Sequence, residues 1–272
     1  MHDMTTPTLN LAQGQPSGEP AIKIEVVDRI AFVTLNRPVR FNALSADVLA
    51  ALHESVDSLS ADANIRVVIL AAQGKAFCAG HDLKELNAAS PEQVETLFRL
   101  CSDLMLKLTR MPQPVIAEVS GMATAAGCQL VAQCDLAVAA DHAKFAVSGI
   151  NLGLFCSTPA VPLSRAIARK RAAEMLFTGD FIDAATALDW GLVNRVVPAD
   201  QLRATTLALA EKLMAKPRES LATGKALFYR QLEAGLEAAY ADASNTIACN
   251  FMAPDAQEGV AAFIEKRPPN WR

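Results

Sequence analysis

A chain of 272 residues, 51% hydrophobic and 20% charged, is long enough for one large or two modest domains with a real core. Its net charge of −4 and pI of about 5.6 exclude a global pull toward nucleic acid or an anionic membrane. No apolar run approaches the ~20 residues of a transmembrane helix, and six scattered cysteines with no C-x-x-C pair read as reduced thiols of a cytoplasmic protein. The four histidines show no metal-ligand spacing, so no metal site is expected.

Residues 1–20 are rich in Thr, Gln, Gly, Pro and Ser. They contain neither the apolar segment of a secretory signal nor the arginines of a mitochondrial presequence, and read as a disordered tail. Ile22, Ile24 and Val26 alternate with Lys23 and Glu25 as in a half-buried strand. Asp28-Arg29 offers a turn into a second strand, Ile30 to Leu35, which Pro38 ends. Ser45 is placed to cap a helix carrying Val48, Leu49, Leu52, Val56 and Leu59 at helical steps.

A buried strand over 66–71 then leads into Ala72-Gln73-Gly74-Lys75-Ala76-Phe77-Cys78-Ala79-Gly80-His81, a small-residue turn with a helix opening at Asp82. Leu83 and Leu86 fall on one face of that helix. Ser90-Pro91 starts another helix by cap and first-turn proline. Val115 to Val119 reads as a strand, and Ser120 to Leu130 repeats the turn-into-helix design. Short strands follow at 135–139 and 144–147. Helices are predicted at 159–169, 171–177, 183–190, 199–215, 217–233 and 235–250, interrupted by a turn and short strand over 191–198. An α/β part over 21–200 followed by a helical part over 201–272 is the expected organisation. Two strand–turn–helix junctions leave free backbone N–H groups that can face an anion or a developing oxyanion.

Several motifs occur in one order: Asn36-Arg37-Pro38 with Asn42-Ala43-Leu44, Lys75 to Leu83, Gly121-Met122-Ala123 through Gly127-Cys128, Cys134-Asp135, Phe177-Thr178-Gly179, Gly191-Leu192-Val193, and Glu258-Gly259 with Phe263 to Arg267. Together they resemble the enoyl-CoA hydratase/isomerase (crotonase) family over nearly the whole chain from Ile22. The resemblance implies a spiral of strand–strand–helix turns with a C-terminal helical trimerisation region. It also implies a homotrimer or dimer of trimers and a role in acyl-CoA or fatty-acid metabolism. The implied ligand is an acyl-CoA or enoyl-CoA thioester, with coenzyme A part of the substrate and no separate cofactor. By motif, the backbone N–H groups of His81 and Ala126 form the oxyanion hole. The adenine and ribose end of CoA is expected along Ala79, His81, Asp82, Leu83 and Lys84, and the pantetheine near Val39, Arg40, Phe41 and Ala43. Phe263 and Lys266 are expected to reach a CoA phosphate, from a neighbouring subunit.

Family hydratases use two glutamates to activate water and deliver the proton. At the matching positions this chain has Gln129 and Gly149. An amide and a missing side chain cannot transfer protons, and each lost acid–base group typically costs ~10²–10⁴ in rate. The stretch from Gly149 to Pro159 and the run Gly80 to Leu86 resemble the enoyl-CoA hydratase domain-containing branch. The readings open at this point are another oxyanion-hole reaction (isomerisation, thioester hydrolysis or decarboxylation), a non-catalytic acyl-CoA binder, and a weak hydratase. Asp82 reads as a helix cap rather than a base, Cys128 and Cys156 as small buried residues rather than nucleophiles, and Asp135 as structural. His142 and Lys144 read as exposed loop charges, and Glu85, one turn along the helix that opens at Asp82, as a residue that can face the pocket.

Overall fold

A computed structural model describes residues 18–271. The chain begins with a hairpin, β1 (Ile22–Val27) and β2 (Ile30–Leu35), paired from Ile22↔Leu35 to Val27↔Ile30. Its two turn residues, Asp28 and Arg29, both have positive φ, as a tight primed turn requires. Of the expected tail, residues 1–17 lie outside the described residues. Glu19 and Pro20 are tied down, since Asn36 Nδ2 donates to the Glu19 carboxylate at 3.1 Å and to the Pro20 carbonyl at 2.9 Å.

Helix α1 (Ala46–Ala61) leads to β3 (Val67–Ala72), whose first five residues are all buried, as a strand covered on both faces should be. Then come β4 (Ala76–Cys78), α2 (Leu83–Ala88) and α3 (Pro91–Arg110). A Ser90/Gln93 capping box starts α3, which buries Leu97, Cys101, Leu104, Met105 and Leu108. The next segments are β5 (Val115–Val119), β6 (Met122–Thr124), α4 (Ala126–Gln133), β7 (Leu136–Ala140) and β8 (Lys144–Ala146). A 3-10 turn, Ser148–Leu152, precedes α5 (Ser157–Ala166), α6 (Arg169–Thr178), β9 (Ile182–Asp183), α7 (Ala184–Trp190) and β10 (Arg195–Val197). The end is helical: α8 (Leu202–Met214), α9 (Arg218–Leu232), α10 (Leu236–Phe251) and α11 (Pro254–Glu265).

The strands form two sheets. One has the order β1-β2-β3-β5-β7-β10 and is parallel beyond the hairpin; the other is β4-β6-β8-β9. The larger core cluster joins α1, α3 and α4 to one face of the first sheet, and a smaller one joins Leu202, Leu209 and Ala210 of α8 to its other face. All six cysteines are free thiols, five of them buried. Among the described residues no helix is long and apolar enough to cross a membrane.

Two expectations need correcting. Ser45 precedes α1 but makes no capping bond to it; its hydroxyl pairs with Asp47, and the Ala46 N–H donates instead to the Glu85 carboxylate at 3.1 Å. The expected face of α2 is not a core face: Leu83 is half exposed, because α2 is short and lies on the surface. α9 and α10 bury no apolar residue, and Phe228, Leu236, Tyr240, Ile247, Phe263 and Ile264 stand in solvent along the C-terminal helices. The last described residue turns back to the start of this region: Trp271 Nε1 donates to the Ala215 carbonyl at 3.0 Å.

Candidate functional site

The second sheet brings three chain segments to one edge. β4 pairs with β6, and β6 with β8, all parallel. Their carboxyl ends therefore point the same way, where ligands of open parallel sheets ordinarily bind. His81 follows β4, Ala126 follows β6 and Gly149 follows β8.

The first two ends touch. A Cβ built on Gly80 would lie 2.9 Å from the Ala125 Cβ and 3.3 Å from the Ala126 nitrogen. Gly80 also has φ +90°, where a side chain would be strained. At Gly127 the approach is closer still, and a Cβ there would overlap the Cys78 carbonyl oxygen. The small residues of both turns let a helix N-terminus sit directly on the neighbouring strand. Ala126 is the first residue of α4, so its N–H has no partner within the helix. Among the described residues the His81 and Ala126 N–H groups make no backbone hydrogen bond outside the regular elements. Ala125 adopts φ +48°, ψ −118°, a conformation that costs a non-glycine residue about 1–3 kcal/mol. Ala125→Gly is therefore expected to stabilise the fold by about 1 kcal/mol, read as a higher denaturant midpoint; an unchanged or lower midpoint refutes the strain.

The loop before α1 is stitched to the first turn. Leu44 N–H donates to the Gly80 carbonyl at 2.8 Å, and Ala79 N–H to the Phe41 carbonyl at 3.0 Å. Asn42 Nδ2 reaches the carbonyls of Gln73 (2.9 Å) and Ala76 (2.8 Å). Val39, Arg40, Phe41 and Ala43 are thus placed beside Ala79, His81 and Asp82. Val39, Arg40, Phe41, Leu83 and Lys84 present exposed surface there, and Arg40 faces Asp82 at 3.8 Å. Asp82 caps α2, accepting from the N–H groups of Lys84 (3.0 Å) and Glu85 (3.3 Å). Phe263 and Lys266 lie elsewhere in the chain, at the end of α11, which packs on α10.

Two side chains of the site carry buried polar atoms without hydrogen-bond partners among the described residues: Gln129 Oε1 and His81 Nε2. Gln129, on α4, is 3% exposed. The His81 ring packs edge-on to Phe98 with centroids 4.8 Å apart, and burial lowers its pKa to about 4. The imidazole is therefore neutral at pH 7. Cys128 and Cys156 are buried, with burial raising both thiols; among the described residues neither is hydrogen-bonded to a base. Asp141 and His142 pair at the surface (3.4 Å) and Lys144 is exposed. Among the described residues no cluster of His, Cys, Asp or Glu could hold a metal ion.

The His81 shift has a pH consequence. The unfolded chain takes up a proton near the ordinary value of 6.5, and the folded chain only near 4. The resulting stabilisation is complete above pH 6.5 and lost as pH falls through 4, for a total of up to about 3 kcal/mol. Denaturation midpoints at pH 7 and pH 4.5 are expected to differ less in His81→Leu than in the unmodified protein; an equal difference refutes the assignment.

Sequence reasoning passed over Glu85 as an anchor of α1 and the pairing of Gly149 with Cys156, whose sulfur accepts the Gly149 N–H at 3.3 Å. Neither has a local signal, since each joins separate segments.

The sequence model described as enoyl-CoA hydratase/isomerase matches residues 25–272. The mouse mitochondrial enoyl-CoA hydratase domain-containing protein 3 is 47% identical over 245 residues, covering 90% of this chain and 82% of the relative. The crystal structure of an enoyl-CoA hydratase from Mycobacterium smegmatis is 58% identical and superposes with a TM-score of 0.91, covering 93% of this chain and 99% of its own. That of human enoyl-CoA hydratase domain-containing protein 3 is 43% identical with a TM-score of 0.89, covering 92% and 100%.

Proposed function

The chain belongs to the enoyl-CoA hydratase/isomerase (crotonase) family and is similar to its enoyl-CoA hydratase domain-containing branch, and on that premise we propose that it binds an acyl-CoA thioester through a retained oxyanion hole without carrying out the two-glutamate hydration. The thioester carbonyl oxygen accepts from the His81 and Ala126 N–H groups, the second reinforced by the positive end of α4. The adenine and ribose end runs along Ala79 to Lys84 and the pantetheine past Val39 to Ala43. The observation that carries this reading is the contact of the two turns at Gly80 and Ala126, with both N–H groups at the ends of adjacent parallel strands.

Chemistry at the acyl carbons is limited by what lies next to it. The Gln129 amide can orient a ligand or water but holds no transferable proton at neutral pH, and Gly149 offers only backbone. The oxyanion donors would still stabilise an enolate, so isomerisation and thioester hydrolysis remain the competing reactions, and simple acyl-CoA binding the competing role. The exposed apolar residues of α9 to α11 support assembly with further copies as a trimer or dimer of trimers. That arrangement would also bring Phe263 and Lys266 of one copy to the CoA phosphates of another.

The test is a binding titration of crotonyl-CoA beside its ultraviolet absorbance. Saturable binding with the enoyl absorbance unchanged is the expected result. Loss of absorbance at an ordinary hydratase rate would overturn the reading of Gln129 and Gly149, and absence of binding would overturn the thioester site itself.

A further inference from the structure

We propose that Cys156 decides which chemistry the acyl site can perform, because its sulfur fills the room that a side chain at position 149 would need. The inference rests on the reading above, in which position 149 is where the family's second glutamate falls. A Cβ built on Gly149 would stand 2.7 Å from Cys156 Sγ and 2.8 Å from the Leu154 carbonyl oxygen. Both are well inside van der Waals contact, so no larger residue enters without displacing sulfur and backbone.

The segment is held in this path from several sides. Gly149 N–H donates to Cys156 Sγ, and Leu154 N–H donates to the Gly149 carbonyl at 3.0 Å. On the outer side the turn is backed by the end of α6: a Cβ on Gly179 would lie 2.7 Å from Ile150 Cγ2 and 2.9 Å from Asn151 Nδ2. Ile150 and Asn151 are thereby held against α6, while residues 152–155 are exposed. Cys156 is the residue just before α5, and α5 packs on α4, which carries Ala126 and Gln129. Burial keeps the thiol protonated at neutral pH, so the sulfur occupies the glutamate's room without supplying a replacement acid or base. Positions 129, 149 and 156 then act as one unit. Restoring carboxylates at 129 and 149 alone leaves the second one without space.

Two measurements test this. Gly149→Ala is expected to lower the melting temperature by roughly 3–10 °C in the native background. In a Cys156→Ala background it should cost at most about half as much, because only the Leu154 oxygen then stands in the way. Equal costs in the two backgrounds overturn the proposal. Second, Gln129→Glu/Gly149→Glu/Cys156→Ala is expected to hydrate crotonyl-CoA at least tenfold faster than Gln129→Glu/Gly149→Glu, a modest share of the ~10²–10⁴ that an acid–base group supplies. Equal measurable rates overturn the proposal; if neither variant hydrates, the melting comparison decides it. Crotonyl-CoA binding by the unmodified protein is titrated alongside. Its absence would count against the thioester site and leave the pairing of 149 with 156, read by melting, standing.

Discussion

Asp135→Ala is expected to cost about 3 kcal/mol or more of folding stability, within the range for removing one partner of a buried ion pair. Asp135 Oδ2 accepts from Lys225 Nζ at 2.6 Å and from the Val115 N–H at 2.7 Å, and Oδ1 accepts from the Tyr229 hydroxyl at 2.7 Å. The Lys225 side chain is only 7% exposed, and Nζ also donates to the carbonyls of Leu108 and Gln113. Burial pulls its pKa down even beside the carboxylate, so the site disfavours an uncompensated ammonium. Removing Asp135 leaves that charge with neutral carbonyls only, and leaves a phenol and a strand N–H without their acceptor. Asp135→Asn, which keeps an oxygen for one of these donors, should lose less. Guanidinium unfolding of both variants checks the ordering, and a loss below about 1 kcal/mol in Asp135→Ala would show that the cluster is not a clamp.

Gly127→Ala is expected to be destabilising as well, and to remove thioester binding with it. The new methyl group would collide with the Cys78 backbone carbonyl, and since its position is fixed by the backbone of residue 127 no rotamer change relieves it. Either the N-terminus of α4 lifts off β4 or the strand bends away. Overpacking of this kind costs about 1–3 kcal/mol, and more where backbone must move. Either displacement also separates the His81 and Ala126 N–H groups, and a shift of about 1 Å in such donors is enough to forfeit most of their effect. Crotonyl-CoA titration and a melting curve on the same sample check both parts. A variant that melts normally and still binds would refute the account of the junction.

Local chemistry made much of the fold legible. The Asp28-Arg29 turn, the Asp82 and Ser90 caps, Pro91 and the stripe of α3 are signals contained within a few residues. β4, β6 and β9 were harder to see, since two or three residues cannot display a period. α11 falls inside the helical part expected over 201–272 but outside the individual helix ranges, although Pro254 opens it. The small-residue turns were visible as motifs, whereas their contact at Gly80 and Ala126 follows from strand order. The same holds for Glu85 on α1 and for Lys225 and Tyr229 on Asp135, partners 39 to 94 residues apart.

The hydrogen bond from Trp271 back to Ala215 makes α9 to α11 an excursion that leaves and re-enters the molecule at one place. A segment with joined ends imposes almost no distance constraint on the body that carries it, so its length and helix angles can drift while the two sheets stay in register. Lys225 and Tyr229 of α9 still pin this excursion to Asp135, so added length is taken up beyond that helix, outside the two sheets.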